Sequence, residues 1–150
     1  MKIISIVLII FFTSCGYNPI YLNNNLKNFE YKEIISGGNK EITKKIISAL
    51  NIKTNNNNEN KLLISSSFKT DEVSKNSKGQ IELYKSTLSV LINVKDSKNS
   101  NIKSKNFLKE FTYSNKENKF ELVEYQDSIQ KNLTEIIIGE IIIFLNSQWL

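Results

Sequence analysis

Apolar residues recur along this chain of 150 residues at two different spacings, one typical of strands and the other of helices. Alternation of apolar and polar residues predicts four β-strands. These strands are expected over residues 29–36, 61–69, 80–96 and 102–114. Apolar residues at three- and four-residue spacing predict a helix over 39–52, with Asn39 as its N-cap, and a second helix from Phe120 onward.

The predicted strand over 80–96 has the clearest alternation. One face carries Tyr84, Leu88, Val90, Ile92 and Val94. The other face carries Lys85, Thr87, Ser89, Asn93 and Lys95, with Leu91 as the exception. A sheet that contains this strand would therefore bury one face and present the other to water or to a partner.

Polar and glycine-containing segments separate the predicted elements. Gly37 and Gly38 are expected to break the first strand, and residues 70–79 are expected to form a polar turn. The remaining links are 53–60, 97–101 and 115–119. The block over 136–145 is apolar on nearly all sides, so a buried helix end is preferred to a strand, which its β-branched residues would also allow.

The helices are predicted to bury one stripe each. In the first helix the stripe contains Ile42, Ile46, Ile47 and Leu50. In the second helix it contains Val123, Ile129, Leu133, Ile136, Ile137, Ile141 and Phe144. The order β-α-β-β-β-α predicts an α+β fold with two helices packed on one face of a four-stranded mixed sheet, and residues 29–150 would form this single domain.

The N terminus has the pattern of a secretory signal. Lys2 is followed by an apolar run over residues 3–12, and Thr13 and Ser14 are small. The run is too short to span a membrane as a helix, which needs about 20 apolar residues. Residues 1–14 are therefore predicted to be a signal peptide, and 15–28 a lipidated N terminus and linker.

Cys15 follows this small pair directly and resembles the acylated cysteine of a bacterial lipobox. Phe12 departs from the usual leucine of that motif, and Ser14 replaces a glycine or alanine. Two or three acyl chains on Cys15 would hold the protein stably in a membrane, because each buried methylene contributes about 0.8 kcal/mol. The alternatives are a simple signal that leaves a free cysteine, or an uncut anchor.

The composition removes several kinds of chemistry. The chain has no histidine, so Ser–His and Cys–His catalytic pairs and histidine metal sites are excluded. A single cysteine forms neither an internal disulfide nor a thiolate metal cluster. All the basic residues are lysines, which recognise phosphate as point charges, so the net charge of +5 is a weak indication of nucleic-acid binding. We expect no enzyme activity, no cofactor and no nucleic-acid partner.

Three acidic residues near the start of the second helix could suggest acid–base chemistry. Glu121, Glu124 and Asp127 lie within its first turns. Negative charge there is favoured by the positive end of the helix dipole. We therefore interpret these carboxylates as structural.

Several stretches together resemble the LPS-assembly lipoprotein family (LptE/RlpB). "CGYNPIY" after the lipobox resembles the start of its mature chains, and "YKSTLSVLINVKD" resembles its central strand. "FTYSNKENKFELVEYQDSIQKNLTEIIIGEIIIFL" resembles its last strand, loop and C-terminal helix. The departures are the absence of arginine and the Gln130-Lys131 pair in the last helix.

The resemblance implies a binding and assembly role without catalysis. Members of the family plug a large outer-membrane β-barrel that delivers lipopolysaccharide, help it to assemble and bind lipopolysaccharide. Gly16, in place of the aspartate that marks inner-membrane retention, favours an outer-membrane, periplasm-facing location with a lipid anchor. Two helices on a four-stranded sheet is also the fold that the resemblance implies.

A lipopolysaccharide binder needs positive charge beside apolar surface, because the ligand carries phosphates and acyl chains. Lys75 and Lys78 precede the central strand, and Lys116 and Lys119 precede the last helix. In the predicted order these two connections could reach the same end of the sheet and form one cationic rim. Lys85 is a further candidate on the outward face of the sheet. For each lysine, an ordinary solvated surface residue is the alternative.

Two other functions stay open from the sequence. One is an unrelated envelope lipoprotein that binds a ligand or acts as a scaffold. The other is a hydrolase, which the absence of histidine disfavours.

Overall fold

The computed structural model describes residues 29–96 and 102–147. The signal peptide, Cys15, the predicted linker and the predicted turn over 97–101 lie outside the described residues. The strands are β1 (Glu30–Tyr31), β2 (Glu33–Gly38), β3 (Lys53–Thr54), β4 (Lys61–Lys75), β5 (Ile81–Lys95) and β6 (Ile102–Ser114). The helices are α1 (Lys40–Ala49) and α2 (Lys119–Ser147).

The main sheet has four strands in the order β2-β4-β5-β6. β2 runs parallel to β4, whereas β4, β5 and β6 form an antiparallel meander. The predicted α+β fold with a four-stranded mixed sheet is confirmed. β5 lies at the centre of the meander because its period-two apolar face buries Leu88, Val90 and Ile92 completely.

Both helices pack on the same face of this sheet. Ser66, Val90 and Phe107 are cross-strand partners and so share one face. The Thr43 hydroxyl of α1 is 2.7 Å from the Ser66 hydroxyl, and the Phe144 ring of α2 meets the Phe107 ring edge to face at 5.8 Å. Residues from the sheet and from both helices therefore join one buried core.

The short helix α1 begins where the sequence predicts. The Asn39 side-chain oxygen accepts hydrogen bonds from the N–H groups of Glu41 and Ile42, each at 3.2 Å. These bonds satisfy two of the N–H groups that a helix start leaves without intrahelical partners. Ile42, Ile46 and Leu50 are buried as predicted, and Ile47 is half-buried against the core.

The prediction for the first strand is wrong in two respects. The predicted strand over 29–36 is divided at Lys32, because β1 pairs with β3 in a separate two-stranded sheet. Gly37 and Gly38 do not break the strand, since they end β2 opposite Ser65 and Ser66. β3 lies within the segment 53–60, which the sequence predicts to be a loop.

The prediction for the segment after residue 69 is also wrong. β4 continues to Lys75, and only residues 76–80 form the turn to β5. This extension is polar, but it remains a strand because its backbone pairs with β5, with Asp71 opposite Lys85 and Lys69 opposite Thr87.

The C-terminal helix α2 includes the block over 136–145, so the preferred helix is confirmed and the strand alternative is wrong. Two of its predicted core residues are exposed instead: Val123 is 55% exposed and Ile136 is 41% exposed. Ile129, Leu133, Ile137, Ile141 and Phe144 are buried as predicted. A spacing of three and four residues determines neither the width of the buried stripe nor its ends on a helix of this length.

Tyr31 of β1 is fully buried, and burial raises the pKa of its phenol to about 12. Together with Phe29 it joins the small sheet to the main core.

Candidate functional site

The β4–β5 turn and the loop from β6 to α2 meet at one end of the sheet. Asn115 makes the contact: its backbone N–H donates to the Glu82 carbonyl oxygen at 2.8 Å, and its side-chain amide donates to the Ile81 carbonyl oxygen at 2.9 Å. The turn itself is organised by Asn76, whose side-chain oxygen accepts from the N–H groups of Lys78 and Gln80.

Between these connections lies an open groove of about 980 Å³. Its polar lining is Asn76, Gln80, Glu82, Ser114, Asn115, Lys116, Glu117 and Lys119. Its apolar and aromatic lining is Ile81, Leu83, Tyr84 and Leu122. We call this feature the sheet-end groove.

The four predicted rim lysines lie at this end of the sheet, but only two of them line the groove. Lys116 and Lys119 do so, and the Lys116 ammonium is 5.1 Å from the centre of the Tyr125 ring. Lys75 ends β4 and forms an ion pair with Glu72 at 3.0 Å, and Lys78 lies in the turn. The two lysines that face the groove therefore come from the β6–α2 loop and from the first residue of α2.

Lys85 lies on the opposite, outward face of the sheet. Its ammonium is 3.4 Å from the Glu110 carboxylate of β6. Exposed pairs of this kind contribute about 0–1 kcal/mol. Lys85 is therefore separate from the sheet-end groove.

An aromatic cluster beside the groove is absent from the sequence-based prediction. The Tyr113 ring stacks on Tyr84 at 5.8 Å and on Phe111 at 6.3 Å, and it meets Tyr125 edge to face at 5.5 Å. Phe111 is 44% exposed, and Phe120 at the start of α2 is 69% exposed. Phe111 and Tyr113 are two residues apart on β6 and therefore lie on the same face of the sheet. This spacing could have predicted part of the cluster from the sequence.

The groove thus combines the Lys116 and Lys119 ammonium groups with the Glu82 and Glu117 carboxylates and with aromatic and aliphatic surface. The two ammonium groups can attract the anionic head of an amphiphile, and the apolar side chains can take its apolar body out of water.

Two of the carboxylates near the start of α2 lie in different surroundings. Glu121 lies in the first turn, where the helix dipole favours it. Asp127 lies in a separate cleft between the two helices, which it shares with Glu41, Lys45 and Lys131. Across residues 29–96 and 102–147, no group of three or more acidic or cysteine side chains could hold a metal ion.

Among the described residues, no helix has both the length and the apolar character needed to cross a membrane.

Comparison with known proteins finds similarity in structure and not in sequence. No family model matches the chain, and no curated protein matches it either. Rare lipoprotein B from Shewanella oneidensis superposes with a TM-score of 0.62 at 13% identity, over 77% of this chain and 95% of that one.

Two further lipoproteins of known structure have a similar fold. Lipoprotein B from Nitrosomonas europaea has a TM-score of 0.54 at 11% identity, over 81% of this chain and 86% of that one. A lipoprotein from Caulobacter crescentus has a TM-score of 0.52 at 13% identity, over 77% and 89%. The resemblance predicted from the sequence is thus confirmed at the level of the architecture, and this chain has the fold of rare lipoprotein B.

Proposed function

We propose that this protein is an outer-membrane lipoprotein, anchored through Cys15, that plugs the lipopolysaccharide-translocating β-barrel, assists its assembly and binds lipopolysaccharide. The observation that carries the proposal is the fold match to rare lipoprotein B over 95% of that chain. The signal-peptide pattern before Cys15, an apolar run over residues 3–12 followed by the small residues Thr13 and Ser14, supports the anchor.

The sheet-end groove is the proposed ligand site. Lys116 and Lys119 would attract the phosphates of lipopolysaccharide, while Tyr84 and Leu122 offer apolar surface nearby. Lys75 and Lys78 lie at the same end of the sheet but do not line the groove, so they would attract the phosphates from a longer distance. The proposed role needs no catalytic group, in agreement with the expected absence of enzyme activity.

Charge reversal separates these two pairs of lysines. The double variant Lys116→Glu/Lys119→Glu is expected to weaken lipopolysaccharide binding about tenfold or more, because two attractive charges become repulsive beside the ligand. Lys75→Glu/Lys78→Glu should produce a smaller loss. The measurement is an equilibrium binding titration of the full chain in detergent with fluorescent lipopolysaccharide, at fixed ionic strength.

The control is Lys40→Glu/Lys44→Glu on exposed positions of α1, which changes the net charge by the same amount away from the groove. An equal loss in the groove and control variants would mean that only net charge matters and would reject the groove as the site. The barrel-plug part of the proposal would be unaffected by that result.

A further inference from the structure

One edge of the main sheet is open along a complete strand. Among residues 29–96 and 102–147, β6 pairs with β5 on one side and with no strand on the other. Asn115 donates to Glu82, so that pair is hydrogen-bonded. Because bonded and non-bonded pairs alternate in an antiparallel ladder, the even-numbered residues of β6 direct their N–H and C=O groups toward the open edge.

Two of the three lysines of β6 do not guard this edge, and the third, Lys103, is exposed near the start of the strand. Projecting lysines commonly prevent edge-to-edge pairing of sheets. Here the Lys109 ammonium forms an ion pair with Glu140 of α2 at 2.5 Å. The Lys105 ammonium lies 5.0 Å from the Phe107 ring centre and 5.1 Å from the Phe144 ring centre. Both side chains are thus directed onto α2 of their own chain, which leaves the backbone edge accessible.

Exposed aliphatic side chains lie on both faces of the same edge. On the outer face, Leu108 at the midpoint of β6 is 53% exposed. On the helical face, Ile136 and Ile143 of α2 are 41% and 71% exposed. These two isoleucines lie two turns apart on one side of α2, next to Glu140. Because Glu140 forms an ion pair with Lys109, this side of α2 faces β6.

A second copy of the chain fits this edge in one register. A two-fold axis at Leu108 pairs the whole of β6 with the β6 strand of the second copy. In this register no residues of like charge lie opposite each other, because Lys105 faces Phe111 and Lys109 faces Phe107. Moving the axis to Phe107 would oppose Lys105 and Lys109, and moving it to Lys109 would oppose that residue to itself. Like charges directly opposite each other destabilise an antiparallel pair.

The same register brings the helices to packing distance. Neighbouring strands lie about 4.8 Å apart. Because α2 contacts both β5 and β6, it lies over the space between these strands. The two-fold axis lies half a strand spacing beyond β6, and so about 5 Å from α2. Two copies of α2 would therefore lie about 10 Å apart, within the usual range of helix–helix packing. Ile136 of each copy would then approach Ile143 of the other.

We propose that β6 and the adjoining flank of α2 form a homodimer interface, with antiparallel pairing of β6 about Leu108 and contact between the two α2 helices. The dimer would have one continuous eight-stranded sheet with all four helices on the same face. This inference does not depend on the proposed barrel partner. If the barrel covers the same edge, dimer and barrel complex exclude each other.

The first test is the mass of the full chain in detergent, measured by sedimentation equilibrium over a concentration series. We expect a dimer for the wild type and for Ile35→Lys, which alters a similarly exposed isoleucine on the opposite edge strand β2. Leu108→Lys and Ile143→Lys should be monomers with unchanged circular dichroism. The proposal would be overturned by a monomeric wild type, or by Leu108→Lys and Ile143→Lys variants that stay dimeric.

A second test checks the register with cysteines introduced in a Cys15→Ser background. Leu108→Cys should form a disulfide-linked dimer on mild oxidation, because the two Cα atoms face each other across the axis within disulfide range. Ile102→Cys, which is exposed on the same face of the same strand, should not, because its copies would lie about 40 Å apart by strand rise. Equal cross-linking at both positions, or none at Leu108→Cys, contradicts this register.

Discussion

Replacement of Gly38 by alanine is expected to destabilise the protein by about 3 kcal/mol or more. Gly38 has a φ of +73°, a backbone conformation that costs a non-glycine residue about 1–3 kcal/mol. A Cβ at this position would also overlap the carbonyl oxygen of Ser66 in the neighbouring strand. Relief of that overlap would separate β2 from β4 and disturb the Asn39 cap that follows.

Gly37→Ala is the matched control for this prediction. Its Cβ would meet the Ser65 Cβ at 3.5 Å, an ordinary van der Waals contact, and its φ is not in the positive region. Urea denaturation followed by circular dichroism measures both variants. Comparable stability losses at the two glycines would show that the close approach of β2 to β4 does not set the requirement for glycine.

Ile137→Ala is expected to cost about 2–5 kcal/mol of unfolding free energy, because a fully buried side chain is replaced by a cavity under α2. Val123→Ala on the same helix should change stability by about 0.5 kcal/mol or less, since Val123 is 55% exposed. The midpoint of urea unfolding reports both changes at a constant m-value. A similar midpoint shift for the two variants would contradict the position of α2 on the sheet.

Much of the fold could be predicted from periodicity because burial repeats along β5 and α1. The extension of β4 beyond Lys69 could not be predicted, because it contains polar residues on both faces. α1 has only ten residues and packs beside Ser66, so the end of β4 needs no apolar face toward a helix. Backbone pairing with β5, which leaves no apolar pattern in the sequence, keeps that end extended.

The sequence predicts that the two connections around the sheet-end groove lie at the same end of the sheet, but it does not predict which residues line the groove between them. Strand order alone implies that the turn before β5 and the loop after β6 reach the same end of the sheet. Which lysines face the groove depends on ion pairs and ring contacts: Lys75 is held by Glu72, whereas Lys116 lies over Tyr125. The cluster around Tyr113 joins residues from three elements, a contact that no local pattern specifies.

The central claim is that this protein works inside a lipopolysaccharide-translocating β-barrel, and co-purification tests it most directly. The native membrane is extracted with mild detergent, the full chain is captured through a C-terminal tag, and the recovered proteins are quantified by mass spectrometry. The proposal predicts one large outer-membrane β-barrel protein recovered in a 1:1 ratio with this chain. Recovery of the chain without a stoichiometric β-barrel would contradict it.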